Sequence, residues 1–108
     1  GPLATVSVDD LLRAAVDAGA SDLHLKVGSF PMMRVRGALV PLAEDRRLDH
    51  EDLVEMSASI MSKVHADKFK DATGHDCESL HQLNLVFMLN MIVLISNGDV
   101  SYAGISLL

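Results

Sequence analysis

The chain has 108 residues, of which 49% are hydrophobic and 22% are charged, and this length supports one domain with a buried core. Nine Lys and Arg residues against fifteen Asp and Glu residues give a net charge of −6, which argues against nucleic-acid binding because such binding depends on neutralising phosphates. A single cysteine, Cys77, excludes an intrachain disulfide and fits a reducing cytoplasm.

The chain opens with Gly1-Pro2, which is typical of the remnant of a cleaved expression tag, and no signal peptide is visible. A first helix is predicted from Val8 to Ala18. Ser7 suits its N-cap position, and Gly19 suits the position at which a helix ends. This helix is interpreted as structural.

Three short strands are predicted after the first helix. Polar and apolar residues alternate over 22–27, which is typical of a strand with one buried face. The alternation resumes at Met33 and Val35 after a break at 28–31, and Gly37 permits a second reversal into a strand over 39–42. Such short connections predict an antiparallel meander.

A second helix is predicted from Asp49 to Ser62, with one or two further turns over 63–70 that carry Phe69. The acidic residues in its first turn, Glu51 and Asp52, favour the positive end of the helix dipole. The expected buried stripe consists of Leu53, Met56, Ile60, Met61 and Val64.

Three residues that can ligate zinc follow this helix: His75, Cys77 and His81. All three have odd residue numbers, so on a strand their side chains would lie on the same face. Their spacing matches no common structural zinc pattern, and a fourth ligand is not identified. No metal site is therefore assigned, and metal-dependent chemistry through these residues is kept as an alternative.

The last thirty residues, 79–108, carry one formal charge, at Asp99. The apolar run over 83–95 is too short to span a bilayer as a helix. Asn97-Gly98 predicts a hairpin between strands over Leu85–Ile95 and Val100–Leu107. The odd positions of the first of these strands, from Leu83 to Val93, are expected to face the core.

The even positions of this segment, Val86, Met88, Ile92 and Leu94, are apolar as well. A sheet that is apolar on both faces must be covered on both. Two amphipathic helices can hardly shield both faces of a six-stranded sheet, so we expect self-association, as a dimer, through this surface.

The residues ASDLHL at 20–25, followed by PMMRVRG at 31–37 and by Leu42, resemble the opening of the secretion-ATPase superfamily. The chain is most similar to the N-terminal domain of type IV pilus retraction ATPases, the motors of twitching motility, over about residues 6–69. The resemblance implies an α+β fold with a PAS-like antiparallel sheet of about six strands and helices packed on it. Residues 3–108 would form this single domain, and the motor ATPase domain is expected to lie outside it.

The C-terminal segment departs from that family, whose members usually show R-F-R-V-N there, then an aromatic residue and Gln-Arg-Gly. Four positions keep this frame: Phe87, Leu89, Asn90 and Gly98. Val86 and Met88 stand where the first two arginines would be. In the family, arginines of this region reach towards nucleotide between the N-terminal and motor domains, a task that no hydrophobic side chain can perform.

The chain contains no G-x-x-x-x-G-K-[ST] loop and no defensible nucleophile–base pair, so no catalytic residue, metal or cofactor is assigned to it. By resemblance, ATP and Mg²⁺ would act in a full-length hexameric parent. This domain would then pack on its own or a neighbouring motor domain and relay nucleotide-driven movement. The expected location is cytoplasmic, at the inner-membrane pilus or secretion machinery, without membrane insertion.

The candidate contact residues of this domain are Asp22, His24, Arg34 and Arg36, on the face opposite Leu23 and Val35, with Val86 and Met88 in the self-association surface. The alternative function is a free-standing PAS-like domain for ligand sensing or dimerisation. Three Phe, one Tyr and no Trp make a pocket for a flat cofactor less favoured.

Overall fold

A computed structural model describes residues 7–61, 63–96 and 99–107. Four α-helices, a short 3₁₀ turn and five strands follow one another along the described chain. In chain order they are α1 Val8–Asp17, β1 Asp22–Lys26, β2 Met32–Val35, β3 Ala38–Pro41, α2 His50–Ile60, α3 Lys63–Thr73, α4 Cys77–Gln82, the 3₁₀ turn Val86–Met88, β4 Leu89–Ser96 and β5 Asp99–Leu107.

The described strands form one antiparallel sheet in the order β3-β2-β1-β4-β5. The α+β class with an antiparallel sheet and helices is therefore confirmed. The sheet has five strands within the described ranges, one fewer than the six expected. Strands β3 and β5 form its two edges, and β3 ends at Pro41.

Strand β1 lies at the centre of the sheet and supplies two side chains that are completely buried, Leu23 and Leu25. Leu89, Met91 and Val93 of β4 are buried beside them. Every described helix contributes to the same core, through Val8, Leu11, Leu53, Met56, Phe69 and Leu80. The helices therefore cover the face of the sheet that carries Leu23 and Leu25.

Helix α1 begins at Val8 as predicted and ends at Asp17, one residue before the predicted end. Ser7 occupies the N-cap position, but in the described part of the chain its side chain accepts no capping hydrogen bond. The predicted strands of the meander correspond to β1, β2 and β3 within one residue at each end. Period-two alternation and glycine positions therefore predicted this half of the sheet correctly.

Helix α2 begins with a reciprocal pair of hydrogen bonds between Asp49 and Asp52. The Asp52 backbone N–H donates to Asp49 Oδ1 at 2.8 Å, and the Asp49 backbone N–H donates to Asp52 Oδ2 at 2.8 Å. Asp52 is buried, and Arg46 Nη2 donates to its two carboxylate oxygens at 2.6 and 2.5 Å. This ion pair compensates the burial of the Asp52 charge.

The second predicted helix is two helices in the structure. Helix α2 ends at Ile60 because Met61 has extended backbone angles, φ −71° and ψ 109°, and α3 begins at Lys63. Leu53 and Met56 are buried as predicted, whereas Ile60 and Met61 are half-buried at the margin of the core. The side chain of Val64 lies outside the described residues.

The region around Cys77 is helical, so the strand on which His75, Cys77 and His81 were to share a face does not exist. Asp76 is the N-cap of α4, and its carboxylate accepts a hydrogen bond from the Ser79 backbone N–H at 2.7 Å. Asp is one of the residues that favour this position, so the capping signal was present in the sequence.

Strand β4 begins at Leu89, so the prediction of a strand from Leu85 is wrong for its first four residues. Asn84 has a positive φ of 58°, and a 3₁₀ turn follows. The turn inverts the expected pattern of burial, in which the odd positions face the core. Val86 is 2% exposed in the core, whereas Phe87 is 54% exposed. The predicted turn at 97–98 lies outside the described residues.

Among the residues that the structure describes, none of the helices combines the length and the apolar character needed to cross a membrane.

The two faces of the sheet allow a matched test of the core. We expect Leu25→Ala to lower the free energy of unfolding by about 2–5 kcal/mol, because Leu25 is fully buried and its removal leaves a cavity. Leu39→Ala, a control on edge strand β3 where the leucine is 44% exposed, should change it by less than about 1 kcal/mol. Urea denaturation measures both, and equal losses would contradict the assignment of the core face.

Candidate interaction face of the sheet

The face of the sheet opposite the helices, called here the outer face, carries the polar residues of β1. Asp22 is paired in register with Arg34 of β2 and with Leu94 of β4. His24 is paired with Met32 and with Ile92 in the same way. Residues paired across strands lie on the same face, so the register joins charged side chains of β1 and β2 to apolar side chains of β4.

Asp22 is the centre of a polar cluster on the outer face, called the Asp22 cluster and formed by Ser21, Asp22, His24 and Arg34. Ser21 Oγ donates to Asp22 Oδ1 at 2.5 Å, and His24 Nε2 bonds to Asp22 Oδ2. Arg34 Nε lies 3.5 Å from Asp22 Oδ2, and Arg34 Nη1 donates to the carbonyl oxygen of Gly37 at 3.2 Å. Three predicted contact residues therefore come together in the fold.

The environment of Asp22 holds its carboxylate in the ionised form. Burial of Asp22 raises its pKa, but hydrogen bonds with Ser21 and His24 and electrostatic interactions with His24 and Arg34 outweigh this effect. The net result is a pKa below the ordinary value of an aspartate. The residue is only 7% exposed, so its charge is satisfied within the domain and orients its neighbours.

The other predicted contact residues lie elsewhere. Arg36 is exposed in the reversal between β2 and β3, where its φ is +52° and that of Gly37 is +81°. Met88 is half-buried in the 3₁₀ turn. Val86 points into the core, so we correct the expectation that it contributes to an exposed self-association surface.

Two exposed leucines flank the Asp22 cluster. Leu94, 40% exposed, is paired with Asp22 across β1 and β4, and Leu39, 44% exposed, is paired with Arg34 across β2 and β3. The apolar even positions of the C-terminal segment predicted that Leu94 would lie in a contact surface, but they did not predict Leu39. The exposed apolar area of the outer face therefore lies on both sides of an ionic centre whose charges are paired within the domain.

A pocket of about 350 Å³ lies between α2, α3 and α4, on the helical side of the domain. It is lined by Ala58, Met61, Ala66, Phe69, Asp76, Cys77 and Glu78. Burial is the main cause of a raised pKa for the Cys77 thiol, which a hydrogen bond with Ser57 only partly offsets. The thiol is therefore protonated at neutral pH and is a poor nucleophile.

His75, Cys77 and His81 do not form a cluster of possible ligands in the described chain. His81 instead lies near His50 and Glu51 of α2, and the potential ligand atoms of these three residues are all within 4.8 Å of one another. Sequence reasoning missed this grouping because it requires the packing of α2 against α4.

No family model and no curated protein matches the chain. Among solved structures, it is similar to the crystal structure of the pilus retraction motor PilT with bound ADP, with a TM-score of 0.53 and 24% sequence identity. The match covers 88% of this chain and 27% of that motor, so the chain spans about a quarter of its length. The predicted resemblance to pilus retraction motors is confirmed at the level of the fold.

The Asp22 cluster predicts a pH-dependent contribution to stability. Asp22→Asn removes the ion pair with Arg34 and the carboxylate that accepts from Ser21 and bonds to His24, and it should cost about 1–3 kcal/mol of unfolding free energy at pH 7. The Asp22 pKa is lower in the folded chain, so the contribution is present above the unfolded value of about 3.9 and is lost as pH falls through the folded value.

Urea denaturation of the wild type and of Asp22→Asn at several pH values between neutral and strongly acidic measures this difference. The exposed Asp45→Asn is the control for removal of one negative charge, and we expect it to be close to wild type. A difference between wild type and Asp22→Asn that stayed constant into strong acid would show that the ion pairs do not stabilise the fold.

Proposed function

We propose that this chain is the non-catalytic N-terminal domain of a hexameric pilus or secretion motor ATPase. In this role the domain packs on the motor domain of its own or a neighbouring subunit and relays nucleotide-driven movement. The observation that carries the proposal is the fold match, in which 88% of the chain corresponds to 27% of a pilus retraction motor. The motor domain, with ATP and Mg²⁺, would be the larger remainder of such a parent.

The outer face is the surface that we assign to this contact. The helices contribute to the core on the other face, so within the described ranges the outer face is the side of the sheet left for a partner. Leu39 and Leu94 supply exposed apolar area, while the Asp22 cluster holds its charges in fixed positions. A motor-domain surface that places apolar residues opposite Leu39 and Leu94 and complementary polar groups opposite the Asp22 cluster would match it.

A sheet is suited to relaying movement because its strands are joined by a continuous set of hydrogen bonds. Strand β1 is hydrogen-bonded to both β2 and β4. The face of β1 opposite the outer face is packed on the helices. A displacement applied to the outer face would therefore move the sheet and helices together as one body. We also propose a PAS-like sheet, hexameric assembly and a cytoplasmic position at the inner membrane.

The pocket between α2, α3 and α4 favours a second candidate, a free-standing PAS-like domain that senses a small ligand. Its volume of about 350 Å³ lies within the range of small-molecule sites, and Asp76 and Glu78 supply polar groups at its margin. The carboxylates and the half-buried thiol of Cys77 suit a small ligand with hydrogen-bond donors. A motor domain encoded immediately after Leu108 would favour the first proposal over this one.

The contact is tested by a charge placed at the outer face of the full-length parent. Leu94→Arg should lower its ATP turnover by about tenfold or more, because the new charge would be buried without a partner in the assigned contact. Val16→Arg is the matched control, since Val16 is 45% exposed but lies on α1. Phosphate release measures turnover, and sedimentation measures assembly. Equal rates for Leu94→Arg and the wild type would contradict the assigned contact.

The isolated chain should release no phosphate from ATP above a buffer control, because its sequence contains no phosphate-binding G-x-x-x-x-G-K-[ST] loop. The measurement is phosphate release over a range of protein concentrations. Turnover that increases in proportion to the protein and persists through successive purification steps would contradict a non-catalytic domain.

A further inference from the structure

The first turn of α2 and the last turn of α4 bring together three side chains of types that bind metals. His50 and Glu51 are the first two residues of α2, and His81 belongs to α4. One potential ligand atom from each lies within 4.8 Å of the other two, and the His50 and His81 ring centroids are 5.4 Å apart at an angle of 41°. We propose that these residues form a site for a divalent transition metal ion, with Zn²⁺ as the probe.

The imidazole of His50 has coordination capacity that the fold leaves unused. Its Nε2 atom is buried and has no hydrogen-bond partner in the part of the chain that the structure describes. Its Nδ1 atom lies 3.4 Å from Glu51 Oε1, at the long limit of a hydrogen bond. A buried polar atom without a partner is costly, and a metal ion or a bound water would remove that cost.

The ligand atoms lie near one another, and they must move closer to bind one ion. Histidine nitrogens and carboxylate oxygens bind Zn²⁺ at about 2.0–2.2 Å, which places tetrahedral ligand atoms about 3.3 Å apart. In the structure the ligand atoms of His50, Glu51 and His81 lie within 4.8 Å of one another. Glu51 and His81 are exposed, so rotation of their side chains can close the remaining distance. A water molecule would complete the four ligands, as in open zinc sites.

The set of ligand atoms decides the class of ion. Two imidazoles and one carboxylate favour Zn²⁺ and neighbouring ions such as Ni²⁺ and Cu²⁺, whereas Mg²⁺ and Ca²⁺ prefer oxygen ligands only. The positive end of the α2 dipole opposes a cation, but Glu51 and the N-cap residue Asp49 bring negative charge to the same turn. The bound ion would join the start of α2 to α4.

The test is a Zn²⁺ titration of the full chain against a competing chromophoric chelator. His81→Gln and Glu51→Gln should each weaken Zn²⁺ binding by about tenfold or more, since loss of a residue that merely supports a ligand costs about 10–100-fold. Both residues are exposed, so these variants should keep the wild-type fold, which far-UV circular dichroism checks. Zn²⁺ should also raise the melting temperature of the wild type more than that of either variant.

Two control variants separate this site from the ligands suggested by the sequence pattern. His75→Gln removes a histidine outside the group, and Cys77→Ser removes the thiol one helical turn before His81. Both should bind Zn²⁺ as the wild type does. The proposal is overturned if wild type binds no more tightly than His81→Gln, or if Cys77→Ser loses as much affinity as His81→Gln, which would place the ion at Cys77 instead.

Discussion

The burial of Leu23 and Leu25 fixes the orientation of the central strand, and the rest of the domain depends on that orientation. Both leucines are fully enclosed by side chains of the helices and of β4. Side chains alternate along a strand, so the same constraint places Asp22 and His24 on the outer face. A shift of one residue in this strand would put Asp22 and His24 into the core and two leucines into the polar cluster.

Local signals predicted the first half of the fold, because each of its elements is specified by residues close in sequence. Strand β1 has strict alternation, α2 has acidic residues in its first turn, and Gly37 permits the reversal before β3. The same parity argument placed Asp22, His24 and Arg34 on one face, although the antiparallel register was needed to bring Arg34 to Asp22. The association of His50 with His81 depends on helix packing, which no local pattern specifies.

The second half was harder because a continuous apolar run contains no periodic signal. Residues 85–95 are compatible with a strand throughout, yet the chain forms a 3₁₀ turn until Leu89. This turn places position 86 in the core. The site is 2% exposed, so an unpaired guanidinium group there would carry a high desolvation cost.

The two edges of the sheet have different capacities to accept another strand. Edge strand β3 is short and ends at Pro41, which has no backbone N–H to offer to a further strand. Edge strand β5 has nine residues, Asp99–Leu107, and contains no proline. Main-chain pairing with an incoming extended segment would therefore occur at the β5 edge. Pairing at the β3 edge is limited by Pro41.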